Sequence, residues 1–237
     1  MRKRLAAAAK VRRLTDLANS LHNELLTKVS EVAGDQTSQV SVGQLVRTVV
    51  DRLSGVLADV AAMHCEVRGG RLRVLASAGL EDPLAVERLL PWTPEAMTEA
   101  AAGRILRRPE GADAPEQGPE PSFVFCPLKG LEPAVEYVAV GTLGGEVPAE
   151  SERQFLRSVA QALASAVARL QGLADLRTRE ARYRAVTETT QDGFWVSDEE
   201  GNILEANEVY ARQSGYTREE LLGMHLSALE EIGRAHV

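Results

Sequence analysis

AESERQFLRSVAQALASAVARLQGLADLRTREARYRAVTETT, Ala149 to Thr190, is the stretch whose reading decides the fold. Glu and Arg alternate along it with Leu156, Val159, Leu163, Val167, Leu170, Leu173 and Leu176, and no proline interrupts the run. Apolar residues three and four apart form a narrow stripe on one long helix. Such a stripe is a seam for pairing with a second copy or with a neighbouring helix, and Leu156, Val159, Leu163, Val167 and Leu170 are the expected dimer seam. Arg169, Arg177, Arg179, Glu180, Arg182 and Arg184 make the second half too polar to be enclosed by a core. The helix should therefore begin packed on one domain and leave it as a connector. Gly172 costs about 1 kcal/mol in a helix interior and marks the expected bend.

A chain of 237 residues accommodates one large or two small domains. Its formal charge of -7 argues against nucleic acid as the main partner. The first 13 residues run the other way, with Arg2, Lys3, Arg4, Lys10, Arg12 and Arg13 and no acid. That run is either a solvated helix end or a contact for phosphate or a membrane surface. No apolar run approaches the roughly 18 residues of a membrane span, and Leu5–Ala9 is too short for the apolar core of a signal peptide. The expected location is the cytoplasm. Cys65 and Cys126, the only cysteines, are then two buried thiols rather than a disulfide.

Upstream of the long helix, Val11 to Val29 carries Leu14, Leu17, Leu21, Leu25 and Val29 on one stripe, an amphipathic helix able to lie alongside it. After a polar break at Gly34–Thr37, Ser41 and Gln44 have capping-box spacing, which predicts a helix from Val42 to about Val60 with Leu45, Val49, Leu53 and Leu57 inward. Val67 and Leu72 flank Arg68-Gly69-Gly70-Arg71, a two-residue hairpin turn. Its register sets Val67 against Leu72, Cys65 against Val74 and Met63 against Ala76, with Glu66 opposite Arg73 as a charge pair. Leu84–Leu90 reads as a short helix, and Thr93-Pro94 starts another over Glu95–Ala102. Pro109 to Pro121 gathers four prolines and two glycines and reads as an exposed loop. Ser122–Leu128 and Val135–Leu143 read as strands.

This order of helix, helix, hairpin, short helices, two strands and long helix resembles the GAF domain from about Leu14 to Gln171, best in Phe125-Cys126-Pro127-Leu128, Tyr137–Leu143 and Glu150–Leu170. The resemblance implies an α+β fold: an antiparallel sheet with the terminal helices on one face, commonly the dimer interface, and a small-molecule pocket on the other. His64, Phe123, Phe125 and Tyr137 are the candidate pocket residues. For the two phenylalanines plain core packing is the favoured role.

From Ala181 the chain resembles the first half of a PAS domain, through Asp192-Gly193-Phe194-Trp195-Val196-Ser197-Asp198, Gly201–Asn207 and Ser214–Gly223. Phe194–Ser197 and Ile203–Glu205 are expected strands joined by a turn with Gly201 left-handed. Asn207 should cap a helix over Glu208–Gln213, and Thr217 with Glu220 forms a second capping box. The PAS pattern calls for about three more strands. Glu231–Val237 instead reads as a translated sequencing-library adapter and is set aside from fold and function. A half-PAS of roughly 50 residues buries too little surface to be stable alone, and an output domain is expected beyond it. The expected organisation is a basic tail 1–13, a GAF-like domain 14–171, a connector 172–184, a truncated PAS domain 185–230 and the adapter segment 231–237.

Reactive chemistry is sparse. His22 resembles the phosphoacceptor of a histidine kinase helix, but the chain after it is GAF-like and carries no ATP-binding domain, so it reads as an exposed helix histidine. His64 is either a ligand or haem contact on a pocket wall or a hydrogen-bonded sheet histidine. His225 sits in a polar turn. The chain has no Cys-x-x-Cys-His for covalent haem, no bilin signature, no PAS cysteine for a flavin photoadduct, no Asn-Lys-Phe-Asp-Glu motif of cyclic-nucleotide GAF domains and no Gly-rich phosphate loop. The cofactor is thus unknown, with a small-molecule ligand expected. Together the resemblances imply a non-enzymatic, homodimeric sensory fragment with no membrane span, as in bacterial sensor histidine kinases. The sensor half of a diguanylate cyclase or transcription regulator would read the same. A GAF-type methionine sulfoxide reductase is the enzymatic alternative, and it needs Cys65 and Cys126 accessible and close together.

Overall fold

The computed structural model describes residues 2–34, 40–81, 94–101, 105–106, 122–128, 135–144 and 148–233. The chain divides into two compact units, Met1–Leu173 and Ala174–Val237. The expected helix at Leu84–Leu90, the loop at Pro109–Pro121 and the polar break after Gly34 lie outside the described residues.

The first unit opens with helix α1 (Arg2–Gly34), longer at both ends than the stripe predicts. Leu14, Ala18, Leu21, Leu25, Val29 and Val32 are its buried residues, while residues 7–13 are exposed. Helix α2 (Val42–Leu53) begins with the expected capping box: Ser41 Oγ accepts from the Gln44 amide at 3.3 Å, and Gln44 Oε1 accepts from the Ser41 amide at 2.8 Å. It ends at Leu53, short of the expected Val60. There the Ser54 hydroxyl donates to the Val50 carbonyl at 2.7 Å, and the chain turns through Asp59, at φ 50, into the first strand. Local side-chain bonding of this kind competes with helix continuation, a cost that the apolar spacing of Leu57 does not reveal.

Strands β1 (Val60–Arg68), β2 (Arg71–Ala78), β3 (Ile105–Leu106), β4 (Ser122–Pro127) and β5 (Val135–Thr142) form one antiparallel sheet in the order β2-β1-β5-β4-β3. Helix α3 (Pro94–Ala101) precedes β3, a strand too short to leave a periodic signal in the sequence. Gly69 and Gly70 stand at φ 58 and 74, the positive angles of a two-residue hairpin turn. From that turn the expected register holds through Val67↔Leu72, Glu66↔Arg73 and Cys65↔Val74, with Arg73 Nη1 3.4 Å from Glu66 Oε1. It then slips. A bulge between His64 and Cys65 pairs Met63 with Ser77, not with Ala76 as the alternation predicts.

Strand alternation divides the buried side chains into two cores. Val60, Ala62, Val124, Val138 and Val140 face α1, α2 and helix α4 (Glu150–Thr189). Ala61, Met63, Cys65, Val67, Phe123, Phe125, Tyr137 and Ala139 form the other core, with Ala100 of α3. Lys10 on α1 meets Glu152 on α4 at 2.8 Å, so the two terminal helices share the first core side by side.

The expected dimer seam is occupied within the protomer. Leu156, Val159, Leu163 and Val167 are 0% exposed and Leu170 9%, all within the first unit's own core. A side chain with no accessible surface in one protomer has none to offer a second. The stripe's partners are the sheet and α1, the second of the two roles such spacing allows.

In the second unit, β6 (Trp195–Ser197) and β7 (Ile203–Ala206) pair antiparallel across the Asp198–Gly201 turn, with Gly201 at φ 89. Helix α5 (Glu208–Ser214) is capped by Asn207, and α6 (Arg218–Leu221) by the Thr217–Glu220 capping box, both as expected. Helix α7 (Leu226–Gly233) continues through Glu231, Ile232 and Gly233 of the adapter-like segment. Ile203, Ala206, Ala211 and Leu221 form a small core of their own.

Candidate functional site

Three of the four candidate pocket residues come together. Phe123, Phe125 and Tyr137 are buried on the sheet face away from the terminal helices, with ring centroids 6.3 Å apart for the phenylalanines and 6.2 Å apart, edge to face, for Phe125 and Tyr137. Gly141 makes this possible. It pairs with Phe123 across β4 and β5, and a Cβ there would collide with the Ser122 carbonyl and lie 2.7 Å from Phe123 Cδ1. The Cys65 thiol donates to the Tyr137 carbonyl at 3.6 Å, and burial, reinforced by Cys65, raises the Tyr137 phenol above its ordinary range. Within the described residues these rings are close-packed core as much as pocket wall.

His64 does not join them. Side chains alternate along a strand, so His64, next to Cys65, points to the helical face. There it is 6% exposed, with Nε2 2.9 Å from Glu136 Oε2. An ionised carboxylate only accepts, which makes Nε2 the protonated ring nitrogen. Gln171 of α4 donates its amide to the same oxygen at 2.7 Å. Burial pushes the Glu136 carboxyl up, but the bonds from Gln171 and His64 and the attraction of His64 outweigh it, and the group sits below its ordinary 4.5. Glu136 and Gln171 are not among the candidates that the sequence suggests. Each is a polar residue at a position that strand alternation or helical period assigns to a covered face, and that conflict is the signal that could have found them.

The same alternation separates the cysteines. Cys65 packs in the aromatic core and Cys126 against the helical one, on strands that flank β5 from either side. Burial also raises the Cys126 thiol. The proximity and accessibility that a reductase requires of this pair are not met. His22 is half-buried on α1. Among the described residues no three His, Cys, Asp or Glu side chains are grouped to hold a metal ion, and no helix is long and apolar enough to cross a membrane.

In the second unit the polar centre is Asn207, a buried residue with both ends of its amide engaged. Its Oδ1 accepts from the amides of Phe194 at 2.9 Å and Tyr210 at 2.8 Å, and its Nδ2 donates to the carbonyls of Thr187 at 2.8 Å and Asp192 at 3.2 Å. One side chain thus ties the end of α4, the segment before β6 and the start of α5. Beside it lies a cleft of about 500 Å³ lined by Tyr183, Arg184, Thr187, Phe194, Glu205 and Arg218 among others. Tyr183 donates to Glu205 at 3.2 Å and Arg184 pairs with Glu180 at 3.1 Å, so part of the charge in the cleft is already matched. His225 is structural: Nε2 donates to the Glu200 carbonyl at 2.8 Å, leaving Nδ1 to accept from Ser227 Oγ at 2.8 Å.

The PAS family, described as the PAS fold, matches residues 181–234. Among solved structures, the GAF domain of an Acinetobacter phosphoenolpyruvate-protein phosphotransferase is 16% identical, covering 67% of this chain and 94% of that one at a TM-score of 0.41. The phycoerythrobilin-bound GAF domain of a cyanobacterial phytochrome is 12% identical, over 66% and 97%, at 0.41. The E. coli DhaR(N)-DhaL complex is 16% identical, over 93% and 71%, at 0.34. No curated protein matches the chain. The first unit has the antiparallel sheet and terminal helices that the GAF resemblance implies, and the PAS match follows it.

Proposed function

We propose that this chain is the cytoplasmic sensory part of a signalling protein. A small molecule or partner engages the GAF-like unit on the aromatic side of its sheet. The change passes along α4, paired with its counterpart in a homodimer, to the PAS-like unit and on to an output domain, a histidine kinase. The observation that most supports this is a shared helix: α4 closes the core of the first unit through Leu156–Leu170, and the PAS match begins at residue 181, within the same helix. A ligand shifts such an equilibrium only by its differential affinity for the two states, so the relay needs two helix arrangements that the ligand distinguishes.

With the seam of Leu156–Leu170 consumed by the protomer core, pairing falls to the exposed second half of α4. Leu176 is 64% exposed and Tyr183 46%, seven residues apart and therefore on one helix face. Sedimentation velocity of the full chain at micromolar concentration should show a dimer, and Leu176→Glu should shift it to monomer without changing the helical circular dichroism. A monomeric wild type, or a Leu176→Glu chain that still associates normally, removes the dimeric relay.

A further inference from the structure

We infer that Glu136 is the fastening by which the sheet of the first unit holds the last turn of α4 before the chain leaves that unit. As a signalling contact it rests on the proposed sensory function; as a fastening it stands on geometry alone. One oxygen, Glu136 Oε2 on β5, accepts from His64 of β1 at 2.9 Å and from Gln171 of α4 at 2.7 Å. Three elements therefore meet at a single atom. Gln171 is flanked by Leu170, the last member of the buried stripe, and by Gly172, where the helix is weakest. Beyond Leu173, residues 174–186 are exposed apart from the half-buried Arg177.

The charge environment explains why this carboxylate depends on its partners. Glu136 stands directly opposite Glu66 across β1 and β5, and like charges so placed repel. Arg73 answers Glu66 at 3.4 Å, while His64 and Gln171 answer Glu136. An apolar residue at 136 alone leaves the buried His64 ring and the Gln171 amide without their acceptor, which loosens the helix. What the polar set adds is direction: the bonds are made only when strand and helix stand in one relative position, and they fail together.

The fastening is also joined to the aromatic face through the strands themselves. Cys65 and Tyr137 are paired across β1 and β5 on that face, and each is the chain neighbour of a member of the set, His64 and Glu136. The register shift of β1 against β2 falls between His64 and Cys65, a bulge where local twist is least constrained by the ladder. A ligand that displaces Tyr137 or Cys65 therefore moves Glu136 or His64 through one peptide unit, and the position of Gln171 follows.

Hydrogen exchange measured by mass spectrometry on the full chain tests this without any ligand. In Gln171→Leu, and in Glu136→Leu, exchange across peptides covering 168–176 should rise roughly tenfold, the scale of one lost charge-assisted hydrogen bond, while 152–164 stays within about twofold of wild type. The double variant should exceed neither single one, since both remove the same contact. Unchanged exchange at 168–176, an equal rise along the whole of α4, or additive effects would each overturn the inference. Should Glu136→Leu not fold, Gln171→Leu compared with Gln171→Asn, whose shorter amide falls short of Glu136, decides the matter alone. Sedimentation of the same samples reports on the dimeric relay separately: normal association with loosened exchange sustains the fastening whatever becomes of the relay, and the reverse result sinks the fastening alone.

Discussion

The two halves of α4 are held by different physics. From Phe155 to Leu170 the helix buries Phe155, Leu156, Val159, Ala160, Leu163, Ala166, Val167 and Leu170 in the first unit's core. From Ala174 to Thr189 only Thr187, at 8%, is buried. The first half is a helix because tertiary packing demands one. The second relies on intrinsic propensity, on the Glu180–Arg184 pair at 3.1 Å, worth a few tenths of a kcal/mol, on Tyr183 meeting Glu205 and Phe194, and on Asn207 receiving its end, among other contacts. One continuous element can thus be shape-specified at one end and tolerant at the other.

The comparison breaks most visibly at Leu163. Leu163→Ala should cost about 2–5 kcal/mol in denaturant unfolding of the first unit, and Leu163→Glu should abolish its folding instead of separating subunits. A cost below about 1 kcal/mol would mean that the first half is not core. Asn207→Ala comes next. It strands buried backbone groups at the tolerant end, and a loss of about 1–3 kcal/mol is expected, read as faster hydrogen exchange at 187–210 with the first unit unmoved. Gly172→Ala sharpens the contrast in the opposite sense. Nothing lies within 4 Å of a Cβ there, so the substitution should stabilise the helix by up to about 1 kcal/mol, seen as greater helical circular dichroism and a higher Tm.

Acidification should produce the smallest effect. The folded pKa of Glu136 lies below its ordinary 4.5, so its contribution is complete above that value and is lost as pH falls through the folded one. Because its side chain is 31% exposed, solvent screens part of that contribution. Wild type should lose more stability than Glu136→Gln between pH 5 and the acid limb, measured as Tm against pH. Parallel curves for the two proteins would remove Glu136 as the titrating group.

Much of this architecture was legible from spacing and caps. Ser41 with Gln44, Asn207, and Thr217 with Glu220 each name a helix start because the side chain answers a backbone donor two or three residues away. The hairpin register was legible outward from Gly69-Gly70 only as far as Cys65, since a bulge is set by what the strand must pack against and leaves no mark in a regular alternation. Of the candidate pocket set, Phe123, Phe125 and Tyr137 share a face, whereas His64 belongs to the other. The parity of His64 and Cys65 contained that answer.

Apart from β3 and α7, the sequence by itself determined the described elements, their order, their caps and which side chains share a stripe, because these follow from periods of two and 3.6 residues and from bonds closed within a few positions. Only the tertiary structure decided what each stripe meets: that Leu156–Leu170 closes on its own sheet, that the two cysteines face apart, and that Glu136 gathers His64 and Gln171. An apolar stripe specifies that it must be covered and carries no label for its partner, since the hydrophobic effect has magnitude but no direction. Hydrogen bonds have direction, but those spanning 35 and 72 residues of chain exist only once the fold has brought their ends together.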